Sequence, residues 1–136
     1  MMHIRILSVG KTPKGAQAEL VAMYKKYLQP FAKLAFVEVK ELAHLPDDVV
    51  VILLDECGKE FRSIEFAKWL QPFEDNGETI CFVIGGPFGL TPAIKKEATH
   101  TIALSKMTLP HDLAKVILLE QLFRAFTILR GKSYHY

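Results

Sequence analysis

Cysteine is scarce in this chain: Cys57 and Cys81 are the only two, and no CxxC motif is formed. A disulfide framework and a zinc site both lack the residues they need, and the pair reads as two reduced thiols of a cytoplasmic protein. The 8 glycines and 7 prolines are spread along the chain, which excludes a fibrous repeat. The longest uninterrupted apolar run is Val49 to Leu54. That is far short of the ~20 residues a membrane span requires. Met1 to Gly10 has too short an apolar stretch for a signal peptide. There is no internal repeat, no linker and no low-complexity segment. There is also no Ser/His/Asp order, no HExxH, no paired-carboxylate motif and no metal-ligand cluster.

What is present is apolar. Of 136 residues, 50% are hydrophobic and 24% charged. A chain of this length forms one domain, residues 1–136, able to bury a core without staples. Net charge is +2, but it is unevenly placed. Residues 1–40 hold seven Lys/Arg against two Glu, residues 41–78 three against ten acids, and residues 79–136 seven against three. If the two basic ends meet in space, they make a face suited to a polyanion; otherwise they are solvated helix faces.

The pattern alternates strand and helix. His3 to Val9 alternates polar and apolar residues until Gly10 stops it, a strand. A helix opens at Pro13-Lys14 and runs to about Gln29, before Pro30. Ala35 to Val39 reads as a strand, and Glu41 to Asp48 as a polar link. Val49 to Leu54 is apolar on both faces, as a central parallel strand requires, and Asp55 to Lys59 leaves its carboxyl end as a loop. Ser63 caps a helix with the stripe Phe66, Trp69, Leu70 and Phe73. Thr79 to Ile84 is another apolar strand. Thr91 and Pro92 open a helix to about Thr99, Thr101 to Leu104 is a short strand, and Asp112 to Arg130 is a long helix stopped by Gly131. This is one α/β domain around a mostly parallel sheet of five to six strands with helices on both faces.

Ligands of such sheets bind beyond the carboxyl ends of the strands, here at Asp55–Lys59, Gly85–Leu90 and Ser105–Pro110. Gly85-Gly86-x-x-Gly89 is neither G-x-G-x-x-G nor a Walker loop, so a dinucleotide or triphosphate is disfavoured. The loop is either a tight turn or a close approach to a ligand. Ser105 to Pro110 has no glycine and offers Met107 and Leu109 beside free backbone groups. It either packs under the core or holds a flat heterocycle whose edge is read by backbone N–H and C=O.

The last helix is apolar nearly all round, from Leu113 to Leu129. Its second apolar side implies a partner subunit, a two-fold homodimer. Within it Glu120 and Arg124, four apart, can pair. Arg124 is then a structural partner or a guanidinium aimed at an anion or base. His111 caps this helix or lines the pocket. The tail Tyr134-His135-Tyr136 beside Lys132 is frayed or is a stacking and phosphate-binding tail for RNA.

Several segments taken together carry a resemblance. Ile84-Gly85-Gly86-Pro87-Phe88-Gly89-Leu90, the run Leu104 to His111, and Phe123-Arg124-Ala125-Phe126 with Tyr134-His135 resemble the ribosomal large-subunit RNA methyltransferase H family. Ile6 to Lys11, and Leu54-Asp55 followed by Gly58-Lys59, fit the same family across nearly the whole chain. The resemblance implies a SPOUT fold with a C-terminal trefoil knot and a homodimer through the C-terminal helix. It implies S-adenosylmethionine as cofactor, bound at Leu54, Gly85, Gly86, Leu104, Ser105, Lys106, Met107, Thr108 and Leu109. It further implies methylation of N3 of a pseudouridine in 23S rRNA (pseudouridine 1915 in the family) on the assembled ribosome. Arg124, Tyr134 and His135 match the family's positions near the methyl acceptor. By residue type, His135 or a water it holds is a candidate base for the N3 proton, and Arg124 a stabiliser of charge on the uracil oxygens. The chain departs from the family in a shorter link after the second strand and in Ser133, where the family's tail commonly has proline. The rival readings are a non-catalytic RNA- or ribosome-binding α/β protein and a doubly wound nucleotide enzyme without its fingerprint.

Overall fold

The computed structural model describes residues 1–136. Five strands form one sheet: β1 (Met2–Val9), β2 (Ala32–Val39), β3 (Val50–Glu60), β4 (Thr79–Ile84) and β5 (His100–Ala103). Their order is β2-β1-β4-β3-β5, and every neighbouring pair is parallel. Four helices connect them: α1 (Ala16–Leu28), α2 (Ser63–Asp75), α3 (Pro92–Glu97) and α4 (His111–Leu129).

The two-residue side-chain period of the strands divides the core in two. Ile4, Ile6, Ile52, Ile80, Phe82 and Ile84 face α1, α2 and α4. Leu7, Val51, Leu53, Cys81 and Val83 face the other way. There the link after β2 lays Leu42 and Leu45 on the sheet, joined by Leu90 and Ala98. Glu97 at the end of α3 fastens that link, meeting His44 Nδ1 at 3.1 Å and accepting from the Leu45 amide at 3.4 Å. The stretch expected to be merely polar thus covers a sheet face with its two leucines.

Several boundaries differ from the sequence expectation. α1 begins at Ala16 after Gly15, whose φ of 135° ends the extended entry, so Pro13 and Lys14 stay outside it. β2 begins at Ala32, where pairing with Met2 holds three residues that propensity alone leaves as loop. Ser63 does not cap α2. Arg62 occupies that position, its amide donating to Glu65 at 2.8 Å, and the Ser63 hydroxyl donates to Gln121 on α4 at 2.7 Å.

The largest difference is Asp55–Lys59, which is strand rather than loop. β3 pairs with β5 up to Leu54, bulges, and resumes with Lys59 opposite Ile102 and Glu60 opposite Ala103. Gly58 makes the bulge possible: a Cβ there would lie 2.7 Å from the Ile102 carbonyl carbon. Beside it, Trp69 packs on the His100 ring at 5.8 Å, closing the β5 edge.

α4 lies over the sheet with α1 on one flank and α2 on the other. Leu118, Leu119, Leu122 and Phe126 are fully buried there. Three of its sides are therefore covered within one chain. The all-round apolar character read as a subunit interface is met largely by α1 and α2, because the helix is central rather than peripheral. The basic ends do come together: α1 packs on α4, and Lys132 Nζ sits 5.4 Å from the Phe31 ring centroid.

Candidate functional site

The carboxyl ends of β3, β4 and β5 surround a cavity of about 740 Å³, within the size range of small-ligand sites. Leu54, Gly85, Gly86, Leu104, Ser105, Met107, Thr108 and Leu109 line it. Of the nine positions expected to hold a cofactor, only Lys106 points elsewhere, its Nζ reaching Glu60 at 3.6 Å. Asp55, Glu56, Phe88, Lys95, His111 and Ala114 complete the wall.

The glycine loop is a tight turn packed on the sheet. Gly89 N–H donates to the Gly86 carbonyl at 2.9 Å, closing a tight turn in which Gly89 has a φ of 73°. A Cβ on Gly86 would lie 2.9 Å from the Val9 carbonyl oxygen, so the turn sits directly on the end of β1. Phe88 is held out from this turn, fully exposed at the rim of the cavity.

The loop 105–110 also resolves. Leu104 and Leu109 pack on the core, whereas Met107 is 78% exposed. The Met107 amide donates to Ser105 Oγ at 2.9 Å, which fixes the bend. The N–H groups of Lys106, Thr108 and Leu109 enter no backbone hydrogen bond of the fold. Unspent donors and acceptors over an apolar floor of Leu54, Ile84, Leu104 and Leu109 fit an adenine ring and its edge.

Charge is placed at the cavity mouth. Lys95 Nζ lies 3.2 Å from Asp55 Oδ1, and the Thr108 hydroxyl donates to Glu56. Both acids lie in the Asp55–Lys59 segment expected at the strand ends, and Asp55 in the family-like Leu54-Asp55 pair, but neither was given a role, because each is an ordinary polar residue next to an apolar strand. His111 lines the cavity, with Nε2 3.5 Å from the Lys11 carbonyl. No three His, Cys, Asp or Glu side chains are grouped to hold a metal ion.

Arg124, Tyr134 and His135 come together, but away from this cavity. Arg124 donates through Nε and Nη2 to Glu120 at 2.9 and 2.7 Å, so the i,i+4 pair is formed. Those hydrogen bonds hold the guanidinium more firmly protonated than usual. The remaining edge of the guanidinium meets His135 Nδ1 at 3.1 Å. Its face lies over Tyr134, 4.8 Å from the centroid. Tyr134 stacks edge-on against Phe123 at 4.8 Å and donates to Glu120 at 3.4 Å. The tail is therefore docked on α4 rather than frayed. Tyr24 of α1 stands beside Tyr134, its phenol pushed up by burial and by its neighbours Tyr134 and Glu120. Helical spacing put Tyr24 on the apolar stripe of the first helix but gave it no role at this site, since only the packing of α1 on α4 brings it there. Arg124 lies ten residues beyond Ala114 on α4, about 15 Å of helical rise from the cavity wall.

An all-parallel α/β sheet with a glycine turn and a cavity of this size beyond its strand ends is an α/β domain with a small-ligand site. Comparison makes the class specific. Residues 2–135 match the family model described as "Predicted SPOUT methyltransferase". Solved structures agree on the fold. A probable methylase family protein from Haemophilus influenzae Rd KW20 has a TM-score of 0.65 at 13% identity, over 98% of this chain and 70% of that one. A probable methyltransferase from Bordetella pertussis Tohama I has a TM-score of 0.57 at 16% identity, over 90% and 95%. Two curated relatives carry the name "Ribosomal RNA large subunit methyltransferase H". That of Maridesulfovibrio salexigens is 40% identical over all of this chain and 99% of its own length. That of Anaeromyxobacter sp. (strain Fw109-5) is 39% identical over 98% and 99%. The chain belongs to the ribosomal RNA large subunit methyltransferase H family of SPOUT methyltransferases.

Proposed function

We propose that this protein transfers a methyl group from S-adenosylmethionine to N3 of a pseudouridine in 23S rRNA (pseudouridine 1915), on the assembled ribosome. The observation that carries the reading is the cavity itself: the unspent backbone N–H groups of Lys106, Thr108 and Leu109 above Leu54, Ile84 and Leu104. Leu54, Gly85, Gly86 and the run Leu104 to Leu109 would hold the cofactor. When bound, it supplies an electrophilic methyl group on a sulfonium, open to in-line displacement. The protein's work is then alignment, which alone is worth several orders of magnitude in rate.

The working unit is a homodimer. Arg124, Tyr134 and His135 lie too far along α4 to serve the cavity of their own chain. A second copy, turned about a two-fold axis, brings its tail to that cavity. Phe88 and Met107 at the rim, and Leu113 on the first turn of α4, are exposed apolar side chains suited to be covered in such a pairing. The basic lysines of α1, β2 and the tail then face the RNA. The domain, residues 1–136, works in the cytoplasm where ribosomes are found, and none of its helices is long and apolar enough to cross a membrane. The C-terminal trefoil knot of SPOUT enzymes belongs to the same reading, formed where α4 follows the loop 105–110.

The experiment is methyl incorporation from labelled cofactor into ribosomes lacking the modification, compared with free rRNA, followed by mapping of the labelled base. Label at N3 of pseudouridine on ribosomes alone is the expected result. Failure to bind S-adenosylmethionine by calorimetry overturns the reading.

A further inference from the structure

Histidine beside a methyl acceptor invites the role of general base. The hydrogen bond at His135 points the other way. A guanidinium has only donors, so the Arg124 contact at 3.1 Å makes His135 Nδ1 an acceptor. The single ring proton of a neutral imidazole then sits on Nε2. A second proton would require Nδ1–H to face Arg124 N–H, two cations in contact. Arg124 does not yield, because Glu120 holds it at Nε and Nη2. The other polar groups near the ring are Glu120 behind Arg124, Tyr134 and Tyr136 of the tail, and Arg62, Ser63 and Glu65 at the start of α2. Arg62, Glu65, His135 and Tyr136 border one cavity of about 410 Å³.

We propose that His135 meets the acceptor base as an Nε2–H hydrogen-bond donor, fixed in that tautomer by Arg124, and does not receive the N3 proton. This rests on the reading above that the tail serves the methyl acceptor. The ring donates to the pyrimidine carbonyl oxygen that gains charge as N3 is deprotonated, and the proton itself passes to solvent hydroxide. Glu120 is then a positioning residue: it aims Arg124, and Arg124 sets the tautomer.

Two measurements on the full-length protein decide it. Long-range nitrogen–proton NMR of histidine-labelled protein identifies the protonated ring nitrogen, with His135→Gln assigning the signal. The expected pattern is Nε2–H with a bare Nδ1; a protonated Nδ1 overturns the proposal whether or not the enzyme methylates RNA. The second measurement is turnover against pH. Gln keeps both functions, an oxygen to accept from Arg124 and an N–H to donate. His135→Gln is expected to stay within about tenfold of the parent and keep its rise with pH, whereas His135→Ala falls about 10²-fold. A His135→Gln enzyme as slow as His135→Ala, or one that loses the parent's rise of turnover with pH, overturns it. If the parent shows no methylation, the functional reading fails while the NMR result still stands for the ring.

Discussion

Glu56 and Thr108 meet across the mouth of the cavity, the hydroxyl of one donating to the carboxylate of the other. They come from the β3 bulge and from the loop after β5. Asp55 next to them is matched by Lys95, whereas Glu56 is matched only by that hydroxyl. The cavity wall therefore keeps one negative charge for its ligand.

S-adenosylmethionine is a cation at its sulfur, and its demethylated product is not. Glu56→Gln is expected to weaken binding of S-adenosylmethionine about threefold and to leave S-adenosylhomocysteine unchanged. The difference should shrink as salt is raised, because Glu56 is exposed. Calorimetry with both ligands checks it; equal losses would mean that Glu56 acts through Thr108 and not through its charge.

Glu120→Ala leaves Arg124 without its carboxylate in a site where the guanidinium side chain is 23% exposed. The expected cost is about 1–2 kcal/mol, since water reaches the site and softens the penalty of an unpaired buried charge. Urea unfolding measures it. Release of the tail should accompany it, seen as faster proteolysis after Lys132.

Gly58→Ala puts a methyl group into the backbone of β5. With Ile102 atoms at 2.7–2.8 Å, the bulge has to open. A loss of about 2 kcal/mol is expected, together with weaker cofactor binding, because Asp55 and Glu56 are carried by the same bulge. A variant as stable as the parent would show that the bulge is not constrained by this contact.

Lys115 is a cation on α4 whose side chain is 3% exposed, with Nζ 2.7 Å from Thr12 Oγ1 and 4.0 Å from Glu38. Burial lowers its pKa from the ordinary 10.5. The folded state therefore releases this proton at lower pH than the unfolded state does. Its charge costs stability in full at neutral pH, and the cost fades as pH rises through the folded value towards 10.5. Lys115→Met is expected to be more stable by about 1 kcal/mol at neutral pH, because Glu38 stays hydrated. The gain should vanish in alkali. Thermal unfolding across that range tests it.

The two thiols should differ sharply. Cys57 is exposed, while Cys81 is fully buried and its thiol is pushed up to about 11. A maleimide is expected to label one site in the native protein at neutral pH and the second only on unfolding. Equal labelling rates would mean that β4 opens readily.

The parallel sheet was legible because β3 and β4 open as apolar runs that only a buried strand tolerates, and β1 alternates as a strand does. The loops that line the cavity followed from strand ends and from residues that need no partner to be recognised. What escaped depended on contacts between distant segments. The continuation of β3 past Leu54 requires β5 to accept Gly58, and Asp55-Glu56-Cys57 has no strand-like pattern of its own. The apolar character of α4 was legible as burial on more than one side, but periodicity does not say which neighbour covers a face, and α1 and α2 take most of it. Glu120–Arg124 was visible as an i,i+4 spacing; the approach of Tyr24, ninety-six residues from Glu120, was not.

The strand order also sets how the chain must assemble. Ser8 is paired with Glu38 on one side and with Ile84 on the other. The first pairing is available early; the second waits until 76 further residues exist (84 − 8). No two neighbouring strands are joined by a hairpin, so every rung of the sheet closes a long loop before it is rewarded. Such a topology belongs among the slow folders, in the range of milliseconds to seconds. Until β4 arrives, the Ile4–Ile6–Ser8 edge of the nascent sheet is unpaired and sticky, and the chain's exposure to aggregation is greatest in that interval.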